Sequence, residues 1–199
     1  MLRKLLGPLL VLAVIGGAAG VAYASHDHGE GLDKVKQATK QFRSLSVANA
    51  ANYGLLVDAN GIACIDMPGM GAMGVHYVNG DLVGDGEVQA LTPEAVVYEP
   101  DSNGRPHLVA LEYVVFKDAW DAQHHSKPSL FGQKFNTTLA GNRYGLPAFY
   151  SLHVWLYKHN PAGMFAMWNP DVTCTPDDGH DDDGHDGHHG DDLVGQMDG

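Results

Sequence analysis

The chain has 199 residues and sets 24 acidic against 12 basic side chains, a formal net charge of −12 with histidine counted neutral. That balance, without clustered Lys or Arg, argues against nucleic acid and anionic membrane surfaces as partners. The length suits one domain with a real hydrophobic core.

Arg3 and Lys4 form a positive start, Leu5 to Gly20 is an apolar run, and Ala22-Tyr23-Ala24 supplies the small-x-small pattern read by signal peptidase. This predicts a signal peptide over residues 1–24, a new terminus at Ser25, and no membrane insertion after cleavage. The alternative is an uncleaved anchor, because Leu5 to Tyr23 is just long enough to cross a bilayer. Residues 25–31 form a polar lead-in carrying His26 and His28.

Residues 32–174 are expected to form a single α+β domain. Leu32, Val35, Ala38, Phe42 and Leu45 step by three or four, the spacing of one helix face. Ser44 or Ser46 can cap a second helical stretch through Val47, Ala48, Ala50 and Ala51, with Gly54 as its stop. Strands are predicted over 74–79, 95–99, 108–116 and 150–159, each rich in Val, Tyr, Leu or Trp and bounded by Asn, Gly or Pro. Asp101-Ser102-Asn103-Gly104 reads as a hairpin turn, and Asn160-Pro161-Ala162-Gly163 as a turn leading back into a strand over 164–168. Residues 118–146 show no clear period and are expected to be a long ordered loop covering one side of the sheet. Helices first and hairpin-linked strands after them predict helices packed on a mostly antiparallel β-sheet. Residues 175–199 are almost entirely Asp, Gly and His, a composition expected to remain disordered. Export places Cys64 and Cys174 in an oxidising compartment, so a disulfide between them is the expected state.

Gly71-Ala72-Met73-Gly74-Val75-His76-Tyr77-Val78-Asn79, Pro93-Glu94-Ala95-Val96-Val97-Tyr98-Glu99-Pro100, Leu152-His153-Val154-Trp155 and Trp168-Asn169-Pro170 with Cys174 form a combination of motifs. It resembles a family of exported bacterial proteins that carries no assigned activity. The resemblance spans roughly residues 34–174 and implies a bacterial, extracytoplasmic setting; the tail lies outside it.

The common catalytic signatures are missing. The sequence has no Gly-x-Ser-x-Gly elbow, His-Glu-x-x-His, Gly-x-Gly-x-x-Gly, phosphate-binding Gly-Lys-Ser/Thr loop or Cys-x-x-Cys-His haem site. Three regions instead hold metal-ligand chemistry. In the tail, His180, His185, His188 and His189 lie among nine Asp residues, a density that attracts zinc, copper or nickel weakly, or serves only as a solvated solubility tail. His26 and His28 beside a terminus at Ser25 offer a second exposed site. Met67, Met70 and Met73 recur every three residues with His76 three further on. Thioethers select Cu(I) outside the cytoplasm, while the alternative is gap-filling by flexible side chains.

The third region lies on the predicted strands. In 108–116, Val109, Leu111, Tyr113 and Val115 are read on one face and Leu108, Ala110, Val114 and Phe116 on the other, so Glu112 points into a buried surface and needs a partner. His76 shares a face with Val78, and His153 shares one with Trp155 and Tyr157, which would line a ligand pocket. His76, Glu112 and His153 are the inventory of a three-ligand copper or zinc site with an open position. The alternative is a core cluster of Glu112 with a histidine or Arg143. The preferred reading is an exported domain that binds metal ions or a small ligand. Its rivals are a small metal-dependent enzyme of unspecified reaction and a structural or interaction module of the cell envelope; no protein partner follows from the sequence.

Overall fold

The structure, a computed structural model, describes residues 27–174. The expected signal peptide, His26 and the histidines of the expected tail lie outside the described residues. His28 falls within the first helix, in a stretch described only by its backbone.

The chain opens with α1 (Asp27–Thr39), a 3-10 turn (Lys40–Arg43) and α2 (Leu45–Ala50). Val35, Phe42 and Ala48 are buried and Leu32, Ala38 and Leu45 half-buried, as the three-to-four spacing requires. Ser44 is the N-cap, although its hydroxyl bonds the Ser46 hydroxyl and no backbone amide. The helix stops differently from expectation. Asn52 adopts the left-handed conformation (φ 65°), and the Tyr53 and Asn52 amides donate to the carbonyls of Ala48 and Asn49. Asn tolerates this conformation because its short polar side chain can bond locally, so the stop comes two residues before Gly54. Gly54 instead begins a strand.

The strands are β1 (Gly54–Leu55), β2 (Cys64–Met67), β3 (Gly71–Val78), β4 (Ala95–Pro100), β5 (Pro106–Phe116), β6 (Ser129–Leu130), β7 (Gln133–Lys134), β8 (Asn136–Thr138) and β9 (Phe149–Val154). The main sheet runs β1-β3-β4-β5-β9-β8, with β2 also paired to β3, and every pairing is antiparallel. Short helices α3 (Gly80–Gly84) and α4 (Lys117–Asp121) follow β3 and β5. The expected loop over 118–146 thus contains the end of α4, the separate β6–β7 hairpin and the edge strand β8, elements too short to impose a period. Both expected turns form: Gly104 (φ 74°) closes β4–β5, and the Gly163 amide bonds the Asn160 carbonyl.

Two corrections concern the C-terminal strands. The strand expected over 150–159 ends at Val154, and 164–168 is not a strand. There the chain is held by the Trp155 amide on the Met164 carbonyl and by an isolated bridge between Ala72 and Asn169. A third concerns β5. Val97 faces Ala110 and Tyr98 faces Leu108, so Val109 is an extra residue in a β-bulge. Leu108 therefore joins the Leu111 side, and Val109 joins Ala110, the reverse of simple alternation.

One face of the sheet, through Val96, Tyr98, Leu108 and Leu111, packs against Val35, Phe42, Ala48 and Tyr53 of the helical layer. The other face carries His76, Glu112 and His153. Cys64 and Cys174 are joined, with Cα atoms 5.5 Å apart, so the last described residue is fixed to the start of β2. An intramolecular disulfide fits an oxidising, extracytoplasmic setting. Among the described residues no helix is long and apolar enough to cross a membrane.

Candidate metal centre

Register brings the three donors together from strands far apart in sequence. Glu112 of β5 pairs directly with His153 of β9, and His76 of β3 reaches the same region across β4, where its partner is Val97. Side chains of one parity along each strand share a face.

His76 Nε2 lies 3.2 Å from His153 Nε2 and 3.3 Å from Glu112 Oε2, and His153 Nδ1 lies 3.4 Å from Glu112 Oε1. One ligand atom from each residue falls within 4.8 Å of the others. A tetrahedral ion with bonds of about 2.0–2.1 Å holds its ligand atoms roughly 3.3–3.4 Å apart. The short separations at His76 Nε2 are close to that spacing without rearrangement.

Both imidazoles are 2 % exposed and Glu112 is 9 % exposed. Burial pushes His153 down to about 4, outweighing the opposing pull of Glu112, so its imidazole is neutral at pH 7. Burial alone would raise Glu112. Attraction to His153 and His76, with hydrogen bonds from His76 and Ser151, outweighs it and holds the carboxyl at about 2. A neutral imidazole and an ionised carboxylate are the forms a metal requires.

One feature departs from a finished metal site. His76 Nδ1 is buried with no hydrogen-bond partner among the described residues, and His153 Nδ1 is too poorly aligned with Glu112 to count as bonded. Metal-bound histidines ordinarily donate the second ring N–H to an acceptor. The donor set therefore fits a metal, while the outer support of His76 does not.

The donors form the floor of a cavity of about 360 Å³. Its cover is the segment after β8, with Asn142, Arg143, Tyr144 and Leu146, joined by Met167 and Trp168. Asn142 braces that segment by donating to the carbonyls of Leu139 and Leu146, both at 2.9 Å. Arg143 latches it to the turn at Asp58, with Nη2 2.9 Å from Oδ2. Asp58 is held below the usual carboxylate range by the Ile62 amide and then by Arg143. Arg143 is thus the partner of Asp58, not of Glu112.

The remaining sequence candidates separate. Met73 and Met67 line the cavity, whereas Met70 sits in the β2–β3 turn and is exposed. Ile65 faces Gly74 and Asp66 faces Ala72, so Met73 is itself a bulged residue, turned toward the cavity by the irregularity. Trp155 stacks behind His153 with ring centroids 6.1 Å apart and its indole N–H on the Ala166 carbonyl, off the cavity wall. Tyr157 leaves the sheet and bonds Thr39 of α1 at 2.8 Å, because β9 has ended three residues earlier. Ser151, two residues before His153 on the same face, could have been found from strand alternation. Tyr144, Met167 and Trp168 lie in irregular segments whose fold gives no periodic signal.

Glu94, one residue before β4, is a further buried carboxyl, accepting from the Val114 amide at 2.9 Å. Burial pushes it up to about 8. A folded value above the unfolded one (about 4.3) means that the native state keeps a proton the unfolded chain releases. Stability is then full below the unfolded value and falls as pH rises toward 8. Glu94→Gln is expected to remove this slope and to stabilise the protein at pH 7 by an amount of order 3–4 kcal/mol, the gain vanishing near pH 4.5. Denaturant melts of both forms between pH 4.5 and 8 measure it; parallel curves would refute the buried neutral carboxyl.

No family model, curated protein or solved structure matches the chain. Its class is thus defined by fold and site: an α+β domain whose open sheet face carries a His-Glu-His donor set at the base of a covered cavity.

Proposed function

We propose that this is an exported bacterial domain that binds copper or zinc through His76, Glu112 and His153. The observation that supports the reading most is the close approach of His76 Nε2 to both other donors at near-tetrahedral spacing. The cavity above them leaves a coordination position open. That opening also favours a second reading, a metal-dependent enzyme acting on a molecule held there. His180, His185, His188 and His189 would add weak capture sites, and Met67 and Met73 at the cavity wall would favour copper in its reduced form.

The test is metal analysis of full-length protein and of protein lacking residues 177–199. Both forms are expected to retain one tightly held ion, and only the full chain should bind an untagged nickel column. The two classes of site separate by pH. Imidazoles with ordinary pKa values lose metal below about pH 6. His153 is pushed down to about 4, so protons do not compete for it until the medium is far more acidic. Loss of all metal from both forms at the same pH, near 6, would count against the buried site.

A further inference from the structure

We propose that the cavity binds a small monocarboxylate with an apolar body, its carboxylate completing the coordination of the metal. The inference rests on the metal reading given above. Size is the first ground. The cavity measures about 360 Å³, within the range of small-molecule sites, whereas the water that usually fills an open position occupies only about 30 Å³. A cavity of this size holds several waters, and water against a mainly apolar lining is readily displaced by hydrocarbon.

The second ground is the chemistry of the walls. Away from the donors they are built by Leu56, Val83, Val114, Phe116, Phe149 and Met167, contributed by several different parts of the chain. Thr138, Tyr144 and Ser151 set a few hydroxyls among them, too few to satisfy the many hydroxyls of a sugar or the oxygens of a polyphosphate. The walls accept aliphatic carbon.

Charge selects the head group. A bound divalent ion would have one carboxylate and two neutral imidazoles as ligands, leaving one positive charge at the base of a mainly apolar cavity. A single anionic donor neutralises it, and a dianion would overshoot. Arg143, the one Lys or Arg on the cavity wall, has its charge paired with Asp58, so it does not leave a second net positive charge there. The geometry therefore points to one anionic oxygen donor at the metal and a hydrocarbon chain directed away from it.

The experiment loads the full chain with one equivalent of cobalt(II), whose visible spectrum reports coordination, and titrates acetate, butanoate and hexanoate in turn. Each methylene buried in the cavity should tighten binding about fourfold, so hexanoate should bind on the order of a hundredfold more tightly than acetate. Leu146→Trp, filling the cavity from its cover, should keep the cobalt spectrum and lose the chain-length dependence. Leu56→Trp, on a different segment, makes the same test if the first variant fails to fold. Cobalt uptake with equal affinity for all three carboxylates would overturn the proposal and leave the metal site standing. Equal binding to metal-free protein would also overturn it. Failure to take up cobalt at all would overturn both readings.

Discussion

Replacing Glu112 with Gln is expected to lower zinc affinity by at least about a hundredfold, since it removes the only anionic ligand while keeping the side-chain shape. The native protein at a hundredfold excess of zinc over its dissociation constant should gain about 2.7 kcal/mol of stability, read as a rise in Tm. In the Gln variant, at the same zinc concentration, that rise should shrink to a small fraction. The measurement needs protein lacking residues 177–199, so that tail histidines do not contribute. A structural cluster would give the opposite pattern: the substitution would shift the metal-free Tm, and zinc would stabilise neither form. Glu112 is held low, so its contribution to stability is present at neutral pH and disappears only as pH falls through about 2. Any loss in the metal-free variant should therefore be constant across pH 6–8, while zinc-dependent loss should follow ligand protonation.

The second large effect concerns the cross-link. Cys64 and Cys174 are separated by 110 residues, and closing a loop of that size is worth at most about 4–5 kcal/mol in the chain-entropy account. The double variant Cys64→Ser, Cys174→Ser should melt on the order of 10 °C lower. Thiol labelling of denatured, unreduced native protein should find no free sulfhydryl. An unchanged melting temperature would mean that the ends of the domain are held together by other contacts, such as the Ala72–Asn169 bridge.

The site was readable in the sequence where it depended on strand alternation and burial. Glu112 in a run apolar on both sides, and histidines on apolar faces of two other strands, are signals that period-two geometry supplies once the strands are known. What alternation cannot show is where it is interrupted. The bulges at Met73 and Val109 each insert one residue and turn the following side chains over, so the face of Leu108 was misassigned. The early end of β9 had a similar effect, carrying Tyr157 to the helical layer. The cover of the cavity was not legible in detail, because the Asp58–Arg143 latch joins two irregular segments 85 residues apart. No local pattern records such a pairing.

His76 and His153 are separated by 77 residues, and the strand carrying the second of them is among the last to be made. During synthesis, a segment ending before residue 153 has only two of the three donors, and the sheet that would hold them lacks β9. Cys174 emerges later still. Completion of the donor set and closure of the disulfide therefore both come late for the nascent chain, and neither can guide its early folding. The sheet must first find its long-range pairings unaided, which is the slow part of folding for such a topology. Until then the histidines and thiols are open to whatever ions and oxidants the compartment offers.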